Sequence, residues 1–250
     1  MPPPRTVAVI PARHASTRFP GKPLALIAGR PMVEHVWRRC QESRAFDEVL
    51  VATDDERIQE AVARFGGMSV MTSPACATGT DRVAEVARSR AGVDVWVNVQ
   101  GDEPLLDPKA LQVLAGLFKD PEVGMGTLVR PLEAAEVASP HVVKAVLAVN
   151  GDALYFSRAA LPFFREAGQE ERVRRWAHIG LYGYRHEVLL KLASLPPTPL
   201  EEAEKLEQLR ALEHGVRIRC GQVHWSTVAV DVPEDVARVE AVLRSSASSL

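Results

Sequence analysis

Short runs of β-branched and aliphatic residues at 7–10, 49–52 and 93–99 alternate with stretches of helical periodicity at 31–40, 55–65 and 81–88. Each helical stretch can carry the chain across a sheet and return it parallel to the preceding strand, which a tight turn cannot do. The pattern dictates βαβ units and an α/β fold: a central, mixed but mostly parallel sheet flanked by helices. A further short strand is expected at 69–71. The run at 93–99 is apolar enough for a central strand buried on both faces. Thr53 or Asp54 is available to cap the helix at 55–65.

Past Pro108 the alternation loosens. A helix to 118 is followed by strands at 125–129, 142–149, 153–156 and 178–184, which reads as a mixed arrangement. The tract Leu195-Pro-Pro-Thr-Pro199 makes a rigid turn. It leads into one helix, with Leu200, Ala203, Leu206, Leu209 and Leu212 on one side and Gly215 as its stop. Strands at 216–219 and 228–230 and a helix over about 234–244 complete the set, with 245–249 frayed. No linker or long repeat interrupts residues 1–250, which read as a single domain.

Composition excludes several function classes. Thirty Lys plus Arg against thirty-two Asp plus Glu give a formal charge of −2, without the basic excess of a nucleic-acid binder. No run approaches the length of a membrane span, and the apolar stretch at the N-terminus is cut short by Pro11. Cys40, Cys76 and Cys220 are odd in number and far apart, so a disulfide framework is disfavoured and a reducing, cytoplasmic setting expected.

Chemistry concentrates at predicted strand ends. Between Met1 and Val33 stand Arg5, Arg13, Arg18, Lys22 and Arg30 with no acid, and the segment from Pro11 to Lys22 leaves the first strand as a long loop. Arg13 and Arg18 offer bidentate forks, Lys22 a point charge, and Ser16, Thr17 and the backbone near Gly21 neutral donors, a set suited to phosphates. Charge pattern alone fits a solvated basic loop equally well, and neither a dinucleotide-binding nor a P-loop glycine pattern is present. Asp102, just beyond the most apolar run, can ligate Mg²⁺ or simply shape a turn. Asp231, after another short strand, can ligate metal or cap the next helix. Thr78 or Thr80 suits a helix N-cap. His178, near the start of a strand, reads as structural, and Glu207 with Gln208 as part of a solvated helix face. Two acids and a basic loop on one sheet rim make a metal and triphosphate site more probable than three coincidences.

Together these segments resemble the CMP-Kdo synthetases, the 3-deoxy-manno-octulosonate cytidylyltransferases of lipopolysaccharide biosynthesis. The resemblance runs nearly end to end, through Ile10 to Leu24, Val51-Ala-Thr-Asp54, Thr78-Gly-Thr-Asp-Arg82, Val97 to Pro104, Leu154-Tyr-Phe-Ser-Arg158, His178-Ile-Gly-Leu-Tyr182, Leu206-Glu-Gln-Leu-Arg210 and Val230 to Asp235. It implies a Rossmann-like nucleotide-diphospho-sugar transferase fold, with 1–107 mainly the CTP-binding half and 108–250 mainly the sugar-binding and dimerisation half. It further implies that Arg13, Ser16, Arg18 and Lys22 hold the CTP phosphates and that Thr78, Gly79 and Gln100 lie near cytidine. Asp102 and Asp231 would bind Mg²⁺, and Arg158, His178, Tyr182, Glu207 and Gln208 would contact the sugar acid Kdo. Arg18, Lys22, Asp102 and Asp231 are the expected catalytic set, without a side-chain general base, and a homodimer is the expected assembly. His14 stands where the family usually has an aromatic residue, and Val232 where it usually has Thr. An 8-amino-Kdo or sialic acid cytidylyltransferase, or a non-catalytic relative, are the alternatives.

Overall fold

Val7, Ala8, Val9 and Ile10 have no exposed surface, as a strand covered on both faces demands. They lie in β1 (Thr6–Ala12) of a computed structural model that describes residues 3–15, 19–166, 168–170, 172–225 and 229–247. After β1 come a small ribbon of β2 (Leu26–Ile27) and β3 (Arg30–Pro31), then α1 (Met32–Ser43), β4 (Glu48–Thr53), α2 (Glu56–Arg64), β5 (Met68–Met71), α3 (Gly79–Arg88) and β6 (Val95–Asn98). The strands pair in parallel in the order β6-β1-β4-β5. Because β4 lies on one side of β1 and β6 on the other, the strand order reverses at β1. Ligands of open α/β sheets bind beyond the carboxyl ends of strands at such a reversal.

The chain divides into two units, residues 1–112 with 227–250 and residues 113–226, and α4 (Pro108–Gly116) carries it from one to the other. The second unit holds β7 (Met125–Pro131), β8 (Lys144–Leu147), β9 (Ala153–Ser157), β10 (Trp176–Arg185), α5 (His186–Ser194), α6 (Pro199–Glu204), α7 (Gln208–Glu213) and β11 (Ile218–Gln222). β11 runs parallel to β7, while β10 is antiparallel to β7 and β8, and β8 to β9. Its core includes Phe118, Leu128, Phe156, Ile179, Leu181 and Ile218. The last helix, α8 (Asp235–Ala247), belongs to the first unit, where Val239 and Val230 are buried with Ile27 and Met32 and flanked by Phe19, Leu105, Val236 and Leu243. The α/β class and its mixed, mostly parallel sheet with flanking helices are borne out.

Several sequence expectations need correction. The single helix over 200–212 is two helices: Lys205 takes a left-handed conformation (φ 52°), ends α6, and lets α7 start afresh at Gln208. The cap of α2 is Asp55, whose carboxylate accepts the Arg57 N–H, rather than Thr53 or Asp54. The expected strand at 142–149 is confined to β8. Of 228–230, residue 228 lies outside the described residues, and 229–230 are not in a strand. Residues 245–247 continue α8 instead of fraying, and 248–249 lie outside the described residues.

Candidate active site

In the first unit, the loops after β1 and β6 and the start of α3 enclose a cleft of about 250 Å³. Its lining includes Arg13, Lys22, Thr78, Gly79, Arg82, Gln100, Gly101 and Asp102. Six of the residues expected from the sequence are therefore brought together. Ser16, Thr17 and Arg18 lie outside the described residues, and Asp231 enters through Lys22.

Gly21 turns the basic loop back on itself at φ 72°, a conformation that suits glycine. Its N–H donates to the His14 carbonyl at 2.9 Å. The turn delivers Lys22, whose Nζ donates to Asp102 Oδ2 at 2.7 Å and to the Val230 carbonyl at 3.0 Å, and lies 3.9 Å from Asp231 Oδ1. The ammonium, the point charge expected from the sequence, is thus held between two carboxylates. Asp231 reaches this position because the Val230 N–H donates to the Asp102 carbonyl at 2.9 Å. The acceptor that closes the turn before α8 is Asp235, whose Oδ2 receives the N–H groups of Asp231 and Val232. Beside Asp102, burial and the Asp102 charge push the Glu103 carboxyl up to about 8, so Glu103 is neutral near pH 7.

One wall of the cleft is built from a helix cap and a buried ion pair. Thr78 Oγ1 accepts the Asp81 N–H at 3.1 Å while the Asp81 carboxylate accepts the Thr78 N–H at 3.0 Å, a reciprocal cap on α3. The capping reading of Thr78 is correct, and the residue lines the cleft as well. Arg82 is almost fully buried; it donates to Asp54 Oδ2 at 2.9 Å and to the Thr72 hydroxyl. This pair joins two segments, Val51–Asp54 and Thr78–Arg82; the sequence offered Asp54 only as a helix cap and gave Arg82 no role. A charge in each segment was the available signal.

In the second unit, Arg158 follows β9. Its Nε donates to the Glu204 carbonyl at 2.8 Å and its Nη1 to the Pro140 carbonyl at 2.9 Å. Lys144, fully buried, anchors the same stretch by donating to the carbonyls of Ser139, Val142 and Arg158 at 2.6–2.7 Å. His178 and Tyr182 stand on the half-open face of β10, their ring centres 5.4 Å apart, with Phe156 4.9 Å from His178. Burial pushes the His178 imidazole down to about 3 and the Tyr182 phenol well above its usual value, the latter aided by the neighbouring Tyr184 and Glu207. Both rings are therefore uncharged near neutral pH. The break after α6 places Glu207 and Gln208 at the start of α7, which packs on β9. Gln208 is buried, not part of a solvated face, and its Nε2 has no partner among the described residues. Sequence reasoning overlooked Phe156, Lys144 and Thr127; nothing local marks the last two as buried.

Residues 7–218 match the protein family described as Cytidylyltransferase. The chain is 75% identical over 241 residues to a 3-deoxy-manno-octulosonate cytidylyltransferase of Myxococcus xanthus, covering 96% of this chain and 97% of the relative. It is 52% identical over 244 residues to a protein of the same description from Geobacter sulfurreducens, with 93% and 96% covered. Among solved structures it is similar to a CMP:2-keto-3-deoxy-manno-octonic acid synthetase complexed with CTP, with a TM-score of 0.91 and 42% identity over 97% of this chain and 99% of the other. A Leptospira borgpetersenii cytidylyltransferase shares the fold, with a TM-score of 0.63 at 16% identity over 96% of this chain and 87% of the other.

Proposed function

The chain belongs to the 3-deoxy-manno-octulosonate cytidylyltransferase family, and we infer that it transfers CMP from CTP to the anomeric hydroxyl of 3-deoxy-D-manno-octulosonate (Kdo). The hydroxyl oxygen bonds to the α-phosphorus as the bond to the bridging oxygen breaks, and pyrophosphate leaves. The product is the activated sugar acid of lipopolysaccharide biosynthesis. The observation that carries this reading is the convergence of Lys22, Asp102 and Asp231 beside the nucleoside-sized cleft at the strand reversal.

Nucleotidyl transfer asks little covalent work of the protein: it must align three atoms and neutralise charge growing on the leaving group. Arg13 at the rim and Lys22 in the floor bind phosphate oxygens, and Thr78, Gly79 and Gln100 form the wall for cytidine. The roles of Ser16 and Arg18 on the phosphates rest on the sequence pattern alone. In the sugar-binding unit, Arg158, Glu207 and Gln208 supply polar contacts to Kdo, and His178 and Tyr182 complete its site from the half-open face of β10. The buried, unpartnered Gln208 Nε2 supports that assignment, since such a donor gains from any acceptor a ligand brings.

Mg²⁺ fits Asp102 and Asp231. Both are hard oxygen donors that already converge on one cationic group, the Lys22 ammonium, and Mg²⁺ is commonly held by one or two carboxylates with phosphate and water completing its shell. Held by Asp102 and Asp231, Mg²⁺ would supply charge for the phosphates and acidity for a hydroxyl. With the two carboxylates so engaged, the Lys22 ammonium would be available to phosphate oxygens.

A homodimer is proposed on the exposed apolar residues Val149, Leu154 and Phe163 of the second unit; light scattering at twice the chain mass of 27.3 kDa is the expected result. A cytoplasmic location is supported by three free thiols and by the absence, among the described residues, of a helix long and apolar enough to cross a membrane. The functional reading is tested by competition among Kdo, 8-amino-Kdo and N-acetylneuraminate for a limiting amount of CTP. Kdo should give most of the product; preference for another acid corrects the substrate, and no product from any acid defeats the reading.

A further inference from the structure

β10 does not run straight past β7. Ile179 lies opposite Leu128 and Tyr182 opposite Thr127, so Gly180 and Leu181 are extra residues on the β10 side. Such a bulge bends the strand and re-aims the side chains beside it. Thr127, with no exposed surface, fills this bulge with its hydroxyl. Its Oγ1 lies 2.8 Å from the Leu181 carbonyl oxygen, 3.2 Å from that of Ile179 and 2.9 Å from Nε2 of His178.

A hydroxyl has one proton and can otherwise only accept. Both carbonyls are acceptors only, so the proton goes to Leu181, the nearer one. A lone pair of Oγ1 is then what His178 meets, and Nε2 must carry the hydrogen. Were Nε2 the acceptor, the Thr127 proton would be diverted to it, and two carbonyl oxygens would face bare lone pairs in a buried site. The ring is therefore the Nε2–H tautomer, with its lone pair on Nδ1. Phe156 and Tyr182 flank the ring at 66° and 44° to its plane. Among the described residues Nδ1 has no hydrogen-bond partner. The imidazole stays neutral, because burial holds its pKa near 3.

We propose that Thr127 is a positioning residue that locks His178 as the Nε2–H tautomer, so that Nδ1 accepts a hydrogen bond from a hydroxyl of the bound sugar acid. This deepens the functional reading above and rests on it. It also assigns a chemical preference: a neutral ring presenting a lone pair repels a carboxylate and attracts an O–H, so His178 reads a sugar hydroxyl and the carboxylate is bound by other groups.

Two measurements on the full-length chain test the proposal. In the first, long-range ¹H–¹⁵N correlation spectra are recorded on histidine-labelled protein, with the His178 signals identified by their loss in His178→Asn. Wild type should show a protonated Nε2 and an unprotonated Nδ1. Thr127→Val, which keeps the shape and removes the hydroxyl, should lose that preference, and Thr127→Ser should restore it. In the second, steady-state rates with Kdo and CTP should show KM for Kdo raised about tenfold in Thr127→Val, the loss of roughly one hydrogen bond, with KM for CTP within about twofold of wild type, and most of the loss recovered in Thr127→Ser. A wild-type His178 protonated on Nδ1 overturns the proposal, and so does a Thr127→Val enzyme with the wild-type KM for Kdo. If Thr127→Val does not fold, the wild-type spectrum and Thr127→Ser kinetics still decide it. A wild-type protein that ignores Kdo defeats the functional reading, whereas the spectrum still tests the tautomer.

Discussion

Replacing Gly101 with alanine places a methyl carbon 2.8 Å from the Pro11 carbonyl oxygen and 3.5 Å from Ile10 Cγ2. A relaxed carbon-to-oxygen contact needs about 3.4 Å, so one side must retreat by about 0.6 Å. β1 cannot readily yield, because Pro11 is in register with Ala52 of β4 and Ile10 is fully buried. The segment Gln100 to Asp102 moves instead, carrying the carboxylate that holds Lys22. A misplacement of about 1 Å at a reacting centre can cost on the order of a hundredfold in rate, so roughly 0.6 Å predicts a loss of at least about tenfold in kcat/KM. Overpacking of this kind costs about 1–3 kcal/mol, which for a chain of this size lowers the melting temperature by about 2–12 °C. Gly116→Ala is the matched control: its added carbon meets nothing within 4 Å, and it should leave both quantities at or slightly above wild type. Steady-state pyrophosphate release and calorimetry on both variants make the comparison. A Gly101→Ala enzyme indistinguishable from wild type in both assays would refute the argument that this glycine exists to let the strand end and the acidic loop touch.

Asp102→Ala should abolish turnover while moving the melting temperature by less than about 4 °C, since a partly exposed ion pair contributes at most about 1 kcal/mol; retention of a tenth of the wild-type rate would defeat the assignment. Gly180→Ala adds a carbon that meets no protein atom, on the half-open face between His178 and Tyr182. It should melt like wild type yet bind Kdo about tenfold more weakly if the sugar occupies that slot, and an unchanged KM would place the sugar elsewhere. His178 titrates near 3 when folded against 6.5 when unfolded, so the stability of its neutral form is fully present above pH 6.5 and drains away as the pH falls toward 3. Denaturant titrations of wild type and His178→Asn between pH 7 and 4 should diverge in slope by up to about 1.4 kcal/mol per pH unit; parallel curves would contradict the burial assigned to this ring.

The first hundred residues were legible because their signals are local: apolar runs of strand length, caps such as Thr78, and a basic loop without acids. Asp102 and Lys22 could be put on one rim from strand order alone. Their direct pairing could not, because it depends on how the Gly21 turn aims the lysine. The helix over 200–212 misled because Leu206 keeps the apolar period across a break made by the backbone of Lys205. Lys144 is held inside by the carbonyls of Ser139, Val142 and Arg158, and Gln208 by the packing of α7 on β9; in both, polarity hides a burial that the fold imposes. The bulge at Gly180 and Leu181 was equally invisible, since the hydroxyl that fills it comes from Thr127 on another strand. Convergence of Val230 and Val239 with Ile27 and Met32 shows the same limit over a longer distance in the chain.

Cytidylyl transfer to Kdo is read out by a time course of wild-type protein with CTP, Kdo and Mg²⁺ in which pyrophosphate and CMP-Kdo are both quantified, the latter by mass. The two should accumulate in equal amounts, and neither should form when Kdo is omitted. Pyrophosphate released without a cytidylylated sugar acid, or no release from folded protein, would contradict that transfer.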